Sequence, residues 1–192
     1  CIRDSSSTSI SAGLGMAVAR DINKEKNKVV AVIGDGAMSA GLAYEGMNNA
    51  GILDSDMIII LNDNRMSIAP AVGALSNYLS KIVSSEPFNS VREIAKRMVE
   101  IFPQQISNTA KKAEDLARNI LNQDNTFFSQ MGMFYLGPID GHDVETLVKV
   151  LKNLNDGSRH GPILLHVVTE KGKGHPFSKV SDEKYHAVSK FN

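Results

Sequence analysis

Two short aliphatic runs, each followed by a polar turn, constrain this 192-residue chain more than any other feature. Val29–Ile33 runs into Gly34–Gly36, and Met57–Leu61 runs into Asn62–Asn64. A continuous apolar run of this length is typical of a strand that is buried on both faces. The segment between the two runs is long enough for a helix, so the pattern predicts a βαβ unit with parallel strands and a right-handed crossover.

Further helices and strands are expected on both sides of this unit. Apolar residues recur at helical spacing before the first strand, between the two strands and near the carboxyl end of the chain. The helices are predicted over Ser9–Arg20, Ala40–Ala50 (with Gly51 as its stop) and Val144–Leu154, and two more strands over Met133–Leu136 and Ile163–Val168. The expected fold class is therefore α/β, with a parallel sheet between helices.

The middle of the chain differs from both ends. Ser90–Ile101 and Asn108–Leu121 have helical spacing, and they predict a helical excursion at about residues 76–130. No internal repeat or low-complexity tract interrupts the sequence, so residues 1–192 are treated as one domain. The segment 170–192 is rich in Lys, Gly and His and is expected to be a loop.

Composition excludes several classes of protein. The chain has 21 basic and 21 acidic side chains, so it lacks the positive excess with which nucleic-acid-binding proteins neutralise phosphates. One cysteine excludes an internal disulfide framework and fits a reducing cytosol. The apolar runs are far shorter than the ~20 residues of a membrane-spanning helix. These observations predict a cytoplasmic protein without a nucleic-acid or membrane partner.

The strongest candidate site consists of the two polar turns that follow the first two strands. Open α/β sheets bind their ligands at the carboxyl ends of their strands. Asp35 offers a carboxylate oxygen and Asn64 an amide oxygen, and both suit Mg²⁺ when phosphate oxygens complete its octahedron. Gly36 lets the backbone approach a phosphate, and the N–H groups that open the next helix favour an anion. The alternative is that both segments are simple turns.

Longer motifs resemble one enzyme family. The chain lacks both the G-x-G-x-x-G motif of dinucleotide-binding folds and the phosphate-binding P-loop. It is instead similar, over nearly its whole length, to 1-deoxy-D-xylulose-5-phosphate synthases, thiamine-diphosphate enzymes related to transketolase. The segments that carry the resemblance are Ser6–Gly13, Gly34–Gly41, Leu61–Ile68, Tyr135–Asp143, Lys171–Gly174 and Tyr185–Val188.

The resemblance implies a thiamine-diphosphate-binding fold and a role for each matching residue. The implied Mg²⁺ ligands are the side chains of Asp35 and Asn64 and the backbone carbonyl of Met66. The implied cofactor-binding residues are Ser6, Gly36, Ala37, Asn64 and His175. His186 matches a histidine that is expected near the thiazolium ring and the substrate, where it would assist proton transfer.

The resemblance also implies a reaction and a set of partners. Members of the family condense pyruvate with D-glyceraldehyde 3-phosphate, with loss of CO₂, at the start of the non-mevalonate route to isoprenoid precursors. The same product feeds the synthesis of thiamine and pyridoxal. Thiamine diphosphate and Mg²⁺ are the implied cofactors, and a homodimer is the implied assembly.

Two departures from the family pattern affect the expected activity. Relatives carry a second, pyrimidine-binding domain and a third, C-terminal domain, so this chain is expected to supply only the diphosphate half of the site and to be inactive alone. Ser5 also stands where the family has a histidine, and residues 1–4 resemble an earlier stretch, so residues are expected to be missing between Asp4 and Ser6. The alternatives are the N-terminal subunit of a split transketolase and a non-catalytic cofactor-binding module.

The remaining histidines are interpreted structurally. His142 follows a Gly within a polar segment and is interpreted as a turn or cap residue. His166 lies inside an apolar strand and is interpreted as a packed core histidine, whereas His160 is expected in a solvated loop.

Overall fold

A four-stranded, wholly parallel sheet organises the part of the protein that the structure describes. This structure, a computed structural model, describes residues 6–66, 73–84, 126–155 and 161–178. The strands are β1 (Val30–Gly34), β2 (Ile58–Asp63), β3 (Phe134–Asp140) and β4 (Ile163–Val168), in the spatial order β1-β2-β4-β3. All three strand pairings are parallel, which confirms the predicted α/β class.

Helices precede or connect these strands. Besides a 3₁₀-helix at Ser6–Thr8, they are α1 (Ser9–Ile22), α2 (Asp35–Met38), α3 (Gly41–Leu53), α4 (Ala74–Ser84), α5 (Phe127–Gln130) and α6 (Val144–Asn155). The helices predicted around α1 and α6 are confirmed. The two predicted between residues 90 and 121 lie outside the described residues, and so does most of the expected excursion at about 76–130. Within the described ranges, no helix is long and apolar enough to cross a membrane.

Two apolar clusters lie on opposite faces of the sheet. Alternate strand residues point to opposite faces, so Leu164 belongs to one cluster and its neighbour Leu165 to the other. The larger cluster packs α1, α3, α4 and α5 against the sheet, and the smaller one packs α6 against β3 and β4. Because helices pack on both faces of β3 and β4, this part of the core resembles that of other sheets built from parallel strands.

The prediction that the first strand is buried on both faces is wrong. Ala31 and Ile33 are buried under the helices of the larger cluster, but Val30 and Val32 are 50% and 60% exposed. β1 stands at one end of the described strand order, beyond the part of the sheet that α6 covers. A continuous apolar run therefore does not show that both faces of its strand are covered.

The predicted helix stop at Gly51 is also wrong. α3 continues to Leu53 and ends at Asp54, which adopts the left-handed conformation with φ 49°. Gly51 lies inside the helix, where a Cβ atom would collide with the backbone carbonyl oxygen of Met131. The absence of a side chain thus serves a close approach between α3 and the turn after α5, rather than helix termination.

Candidate functional site

The two polar turns that the sequence singles out lie side by side at the carboxyl edge of the sheet. β1 and β2 are adjacent, and their register pairs Gly34 with Asn62. Asp35 follows β1 directly, and Asp63 and Asn64 stand at the end of β2. Since both strands run in the same direction, this register brings the two polar segments together, as the βαβ prediction requires.

Asp35 is a buried carboxylate that links the two turns. Its residue is only 9% exposed, and it opens the short helix α2. Burial, followed by the nearby charge of Asp63, raises the pKa of this carboxyl above its usual value. Backbone N–H groups of Gly36 and Asn64 act in the opposite direction because they favour the ionised form. The carboxylate of Asp35 therefore faces the backbone of the neighbouring turn.

The raised pKa of Asp35 predicts that its charge destabilises the cofactor-free fold. Ionisation is disfavoured in the fold relative to the unfolded chain, so the cost applies at neutral pH and vanishes below the ordinary pKa of 3.8. Asp35→Asn is therefore expected to raise the melting temperature at pH 7, and this gain should disappear as the pH falls below 3.8. Thermal unfolding of the cofactor-free variant, measured from pH 3 to pH 8, checks this.

The matched variant Asp63→Asn should have the opposite effect. The pKa of Asp63 is lowered, so its ionised form stabilises the fold above the unfolded pKa, and this stability is lost as the pH falls through the folded value. A higher melting temperature for both variants at pH 7 would contradict the assignment of the two carboxyl groups.

The turn after β2 is closed by side-chain oxygens. The backbone N–H of Met66 donates to Asn64 Oδ1 at 2.9 Å, and that of Arg65 donates to Asp63 Oδ1 at 3.1 Å. Arg65 itself adopts a left-handed conformation with φ 55°. An amide oxygen has two lone pairs, so Asn64 Oδ1 retains acceptor capacity beside its bond to Met66.

The oxygen donors at this edge suit a Mg²⁺ ion that also binds phosphate or water oxygens, rather than a metal ion held by protein side chains alone. In the part of the chain that the structure describes, no three His, Cys, Asp or Glu residues form a group that could hold a metal ion. One carboxylate and one amide oxygen would need phosphate or water oxygens to complete six-fold coordination, which is the usual situation for Mg²⁺. The residues present are therefore compatible with a metal–diphosphate group.

The segment that begins with Ser6 lies next to the same edge. The 3₁₀-helix Ser6–Thr8 contacts α2, which contains the predicted diphosphate-binding residues Gly36 and Ala37. The hydroxyl of Ser9, at the start of α1, is buried and has no hydrogen-bond partner among the described residues. Two of the predicted cofactor-binding segments are thus brought together by the fold.

His175 lies in the turns that follow β4. Its ring packs edge-to-face against Phe177, with centroids 6.0 Å apart, and it borders an open cavity of about 320 Å³ with Glu170, Lys173 and Pro176 among the lining residues. β4 pairs with β2, so this segment leaves the same edge of the sheet on the opposite side of β2 from Asp35. His186 lies outside the described residues.

Sequence reasoning missed the buried partners of Asp63. His166 is fully buried, which confirms its interpretation as a core histidine, but its Nε2 lies 3.0 Å from Asp63 Oδ2 and its Nδ1 lies 2.7 Å from the hydroxyl of Tyr135. Burial alone would raise the pKa of Asp63, yet the hydrogen bond from His166 lowers it, and the N–H and charge of Arg65 act in the same direction. A histidine among apolar residues at mid-strand was the available signal.

The exposed residue His142 occupies a turn, which confirms its predicted role. Its backbone N–H donates to Asp140 Oδ1 at 2.9 Å, and its Nε2 accepts from the backbone N–H of Glu170 at 2.8 Å. The histidine therefore ties the end of β3 to the segment after β4. His160 lies outside the described residues.

Comparison with known families agrees with the geometry of this edge. The family model described as 1-deoxy-D-xylulose-5-phosphate synthase matches residues 3–169. The match includes both polar turns and all four strands, and it stops at Thr169, just before the segment that contains His175. The chain therefore belongs to the 1-deoxy-D-xylulose-5-phosphate synthase family, whose members are transferases that depend on thiamine diphosphate.

Proposed function

We propose that this chain provides the diphosphate- and metal-binding part of an enzyme that condenses pyruvate with D-glyceraldehyde 3-phosphate. The reaction releases CO₂ and forms 1-deoxy-D-xylulose 5-phosphate, the first intermediate of the non-mevalonate route and a precursor of thiamine and pyridoxal. Family membership supports the general activity. The observation that carries the finer proposal is the buried carboxylate of Asp35, which faces the backbone of Asn64 across two adjacent strand ends.

The residues at this edge have distinct proposed roles. Asp35, Asn64 and the carbonyl of Met66 would hold Mg²⁺, which in turn neutralises the diphosphate. The oxygen-only donor set and the hydrogen-bonded turn at Asn64 support this assignment. When bound, thiamine diphosphate supplies the electron sink for decarboxylation, and the protein supplies position and electrostatics.

The other proposed contacts surround the diphosphate. Backbone N–H groups of Gly36 and Ala37 would bind its oxygens, with Ser6 and His175 as further contacts. The N–H of Gly36 also favours the ionised form of Asp35, so the diphosphate oxygens would share this N–H with the Asp35 carboxylate or compete with it. His186 would assist proton transfer near the substrate.

The pyrimidine half of the site would come from another domain, and a homodimer is the proposed assembly. An incomplete site of this kind explains why the chain is expected to be inactive by itself. The split-transketolase alternative shares the same metal and diphosphate requirement, so it differs in substrate rather than in the residues described above.

Carbon dioxide release distinguishes these possibilities. The full-length protein, supplied with Mg²⁺ and thiamine diphosphate, is expected to release ¹⁴CO₂ from [1-¹⁴C]pyruvate when D-glyceraldehyde 3-phosphate is present. Removal of Mg²⁺ with a chelator should abolish the release, and its return should restore it. Transfer from a ketose donor without CO₂ would favour a transketolase, and binding of thiamine diphosphate without either reaction would favour a non-catalytic cofactor-binding module.

A further inference from the structure

A chain of three buried polar side chains crosses an otherwise apolar face of the sheet. Tyr135 on β3, His166 on β4 and Asp63 on β2 are 2%, 0% and 2% exposed. They lie among residues of the larger apolar cluster, and the ring of Tyr135 stacks on that of Phe128 with centroids 5.5 Å apart. We call these three residues the buried polar chain.

With a neutral imidazole at His166, one arrangement of the hydrogen bonds satisfies Tyr135, His166 and Asp63. Burial holds the pKa of Tyr135 well above its usual value, so its hydroxyl keeps its proton and can donate it to His166 Nδ1, 2.7 Å away. A neutral imidazole whose Nδ1 accepts must carry its proton on Nε2. That proton points to Asp63 Oδ2, at 3.0 Å. The direction of donation therefore runs from Tyr135 to Asp63.

Asp63 connects the buried polar chain to the candidate metal site through its hydrogen bonds. Its second carboxylate oxygen accepts the N–H of Arg65, and its backbone carbonyl accepts the N–H of Thr169 at 2.8 Å. The next residue, Asn64, closes the same turn by accepting the N–H of Met66. Both oxygens of Asp63 are thus occupied, one by the buried chain and one by the turn that contains the proposed ligands.

The stability of the fold does not by itself call for the buried polar chain. Buried polar groups are costly unless every partner is present, and packed apolar side chains of similar size often give equal or greater stability. The surrounding positions of the same face are aliphatic or aromatic. Because the buried polar chain ends at the candidate site, its position points to a role in that site.

We propose that Tyr135, His166 and Asp63 form a positioning unit, which holds the turn Asn64–Met66 in the conformation that binds the metal–diphosphate group. In this role the three residues act on the turn and not directly on the cofactor. The inference rests on the proposed function, because it assigns the turn a metal to bind, but its structural part can be tested without cofactor.

Tyr135→Phe is the first test, because it removes one hydroxyl and keeps the stacked ring. In the full-length, cofactor-free protein, hydrogen–deuterium exchange at the amides of Arg65 and Met66 is expected to become about 5-fold faster, the effect of losing one buried hydrogen bond. Calorimetry with Mg²⁺ and thiamine diphosphate should show an affinity about 5-fold weaker.

Tyr78→Phe is the matched control. The hydroxyl of Tyr78 accepts the N–H of Phe127 at 2.9 Å in the same apolar cluster, so its loss also removes one tyrosine hydrogen bond. This variant should lower the melting temperature but leave exchange at Arg65 and Met66, and the cofactor affinity, within twofold of the wild type.

Two substitutions of His166 provide a rescue test. His166→Gln keeps an N–H donor for Asp63 and should retain more affinity and amide protection than His166→Leu, which keeps none. Equal exchange and equal affinity in Tyr135→Phe and Tyr78→Phe would overturn the positioning role. A wild-type protein that does not bind thiamine diphosphate would instead refute the proposed function, while exchange at Arg65 and Met66 still decides whether the buried chain orders the turn.

Discussion

Replacing Asp35 with alanine is expected to weaken the binding of Mg²⁺ and thiamine diphosphate by roughly 100-fold or more. Loss of a residue that only supports a metal ligand typically costs ~10–100-fold in affinity, so loss of a direct carboxylate ligand should cost at least the upper value. The cofactor-free variant should melt no lower than the wild type, because Asp35 lies at a strand end and burial already disfavours its ionised form. Titration calorimetry and thermal unfolding measure both effects.

Asp56→Ala is the control for this experiment. Asp56 precedes β2, at the opposite edge of the sheet, and its carboxylate pairs with Lys28 at 2.9 Å. The substitution removes the same charge but should leave cofactor affinity unchanged. Equal losses of affinity in the two variants, or a collapse of the cofactor-free Asp35→Ala protein, would argue against a metal role. Asn64→Ala should weaken binding in the same direction as Asp35→Ala.

Gly51→Ala is expected to be the most destabilising glycine-to-alanine substitution in the described helices α1 and α3. The new methyl group would meet the carbonyl oxygen of Met131, which is backbone and cannot rotate away as a side chain could. Overpacking of this kind costs ~1–3 kcal/mol, and a backbone obstacle places it near the upper end. Urea denaturation should show a lower midpoint with an unchanged slope.

Gly15→Ala tests whether this cost arises from contact rather than from helix propensity. Gly15 lies in α1, and an added Cβ there would meet no atom within 4 Å. Alanine forms helix better than glycine by ~0.8–1.0 kcal/mol, so this variant should be more stable than the wild type. If Gly51→Ala were also stabilising, the close approach between α3 and the turn after α5 would be refuted.

Much of the fold could be predicted because its signals are local. The strand at Ile163–Val168 has the predicted bounds, and β2 begins one residue after the predicted Met57. Apolar runs of strand length, separated by helical spacing, imply parallel strands, and parallel strands bring their carboxyl ends to one edge. Asp35 and Asn64 could therefore be expected at adjacent strand ends before any contact was known.

The sequence could not show which faces and contacts each element would have. Val30 and Val32 belong to an apolar run, yet they are exposed because β1 ends the described strand order. Glycine is common just after the end of a helix, but Gly51 lies inside one. The lack of a side chain at Gly51 matters because of a turn that is far away in the sequence. In both cases the local pattern predicted the correct type of element, but it could not show what would pack against that element.

The sequence by itself determined the family, the parallel α/β unit and the pair of oxygen donors at its edge. Only the tertiary structure decided that Asp63 bonds His166, which in turn bonds Tyr135, and that this buried polar chain reaches the turn at Asn64. The physical reason is strand order: β2 contacts β4, whose residues lie about a hundred positions later in the sequence, and periodicity describes only neighbours along the chain.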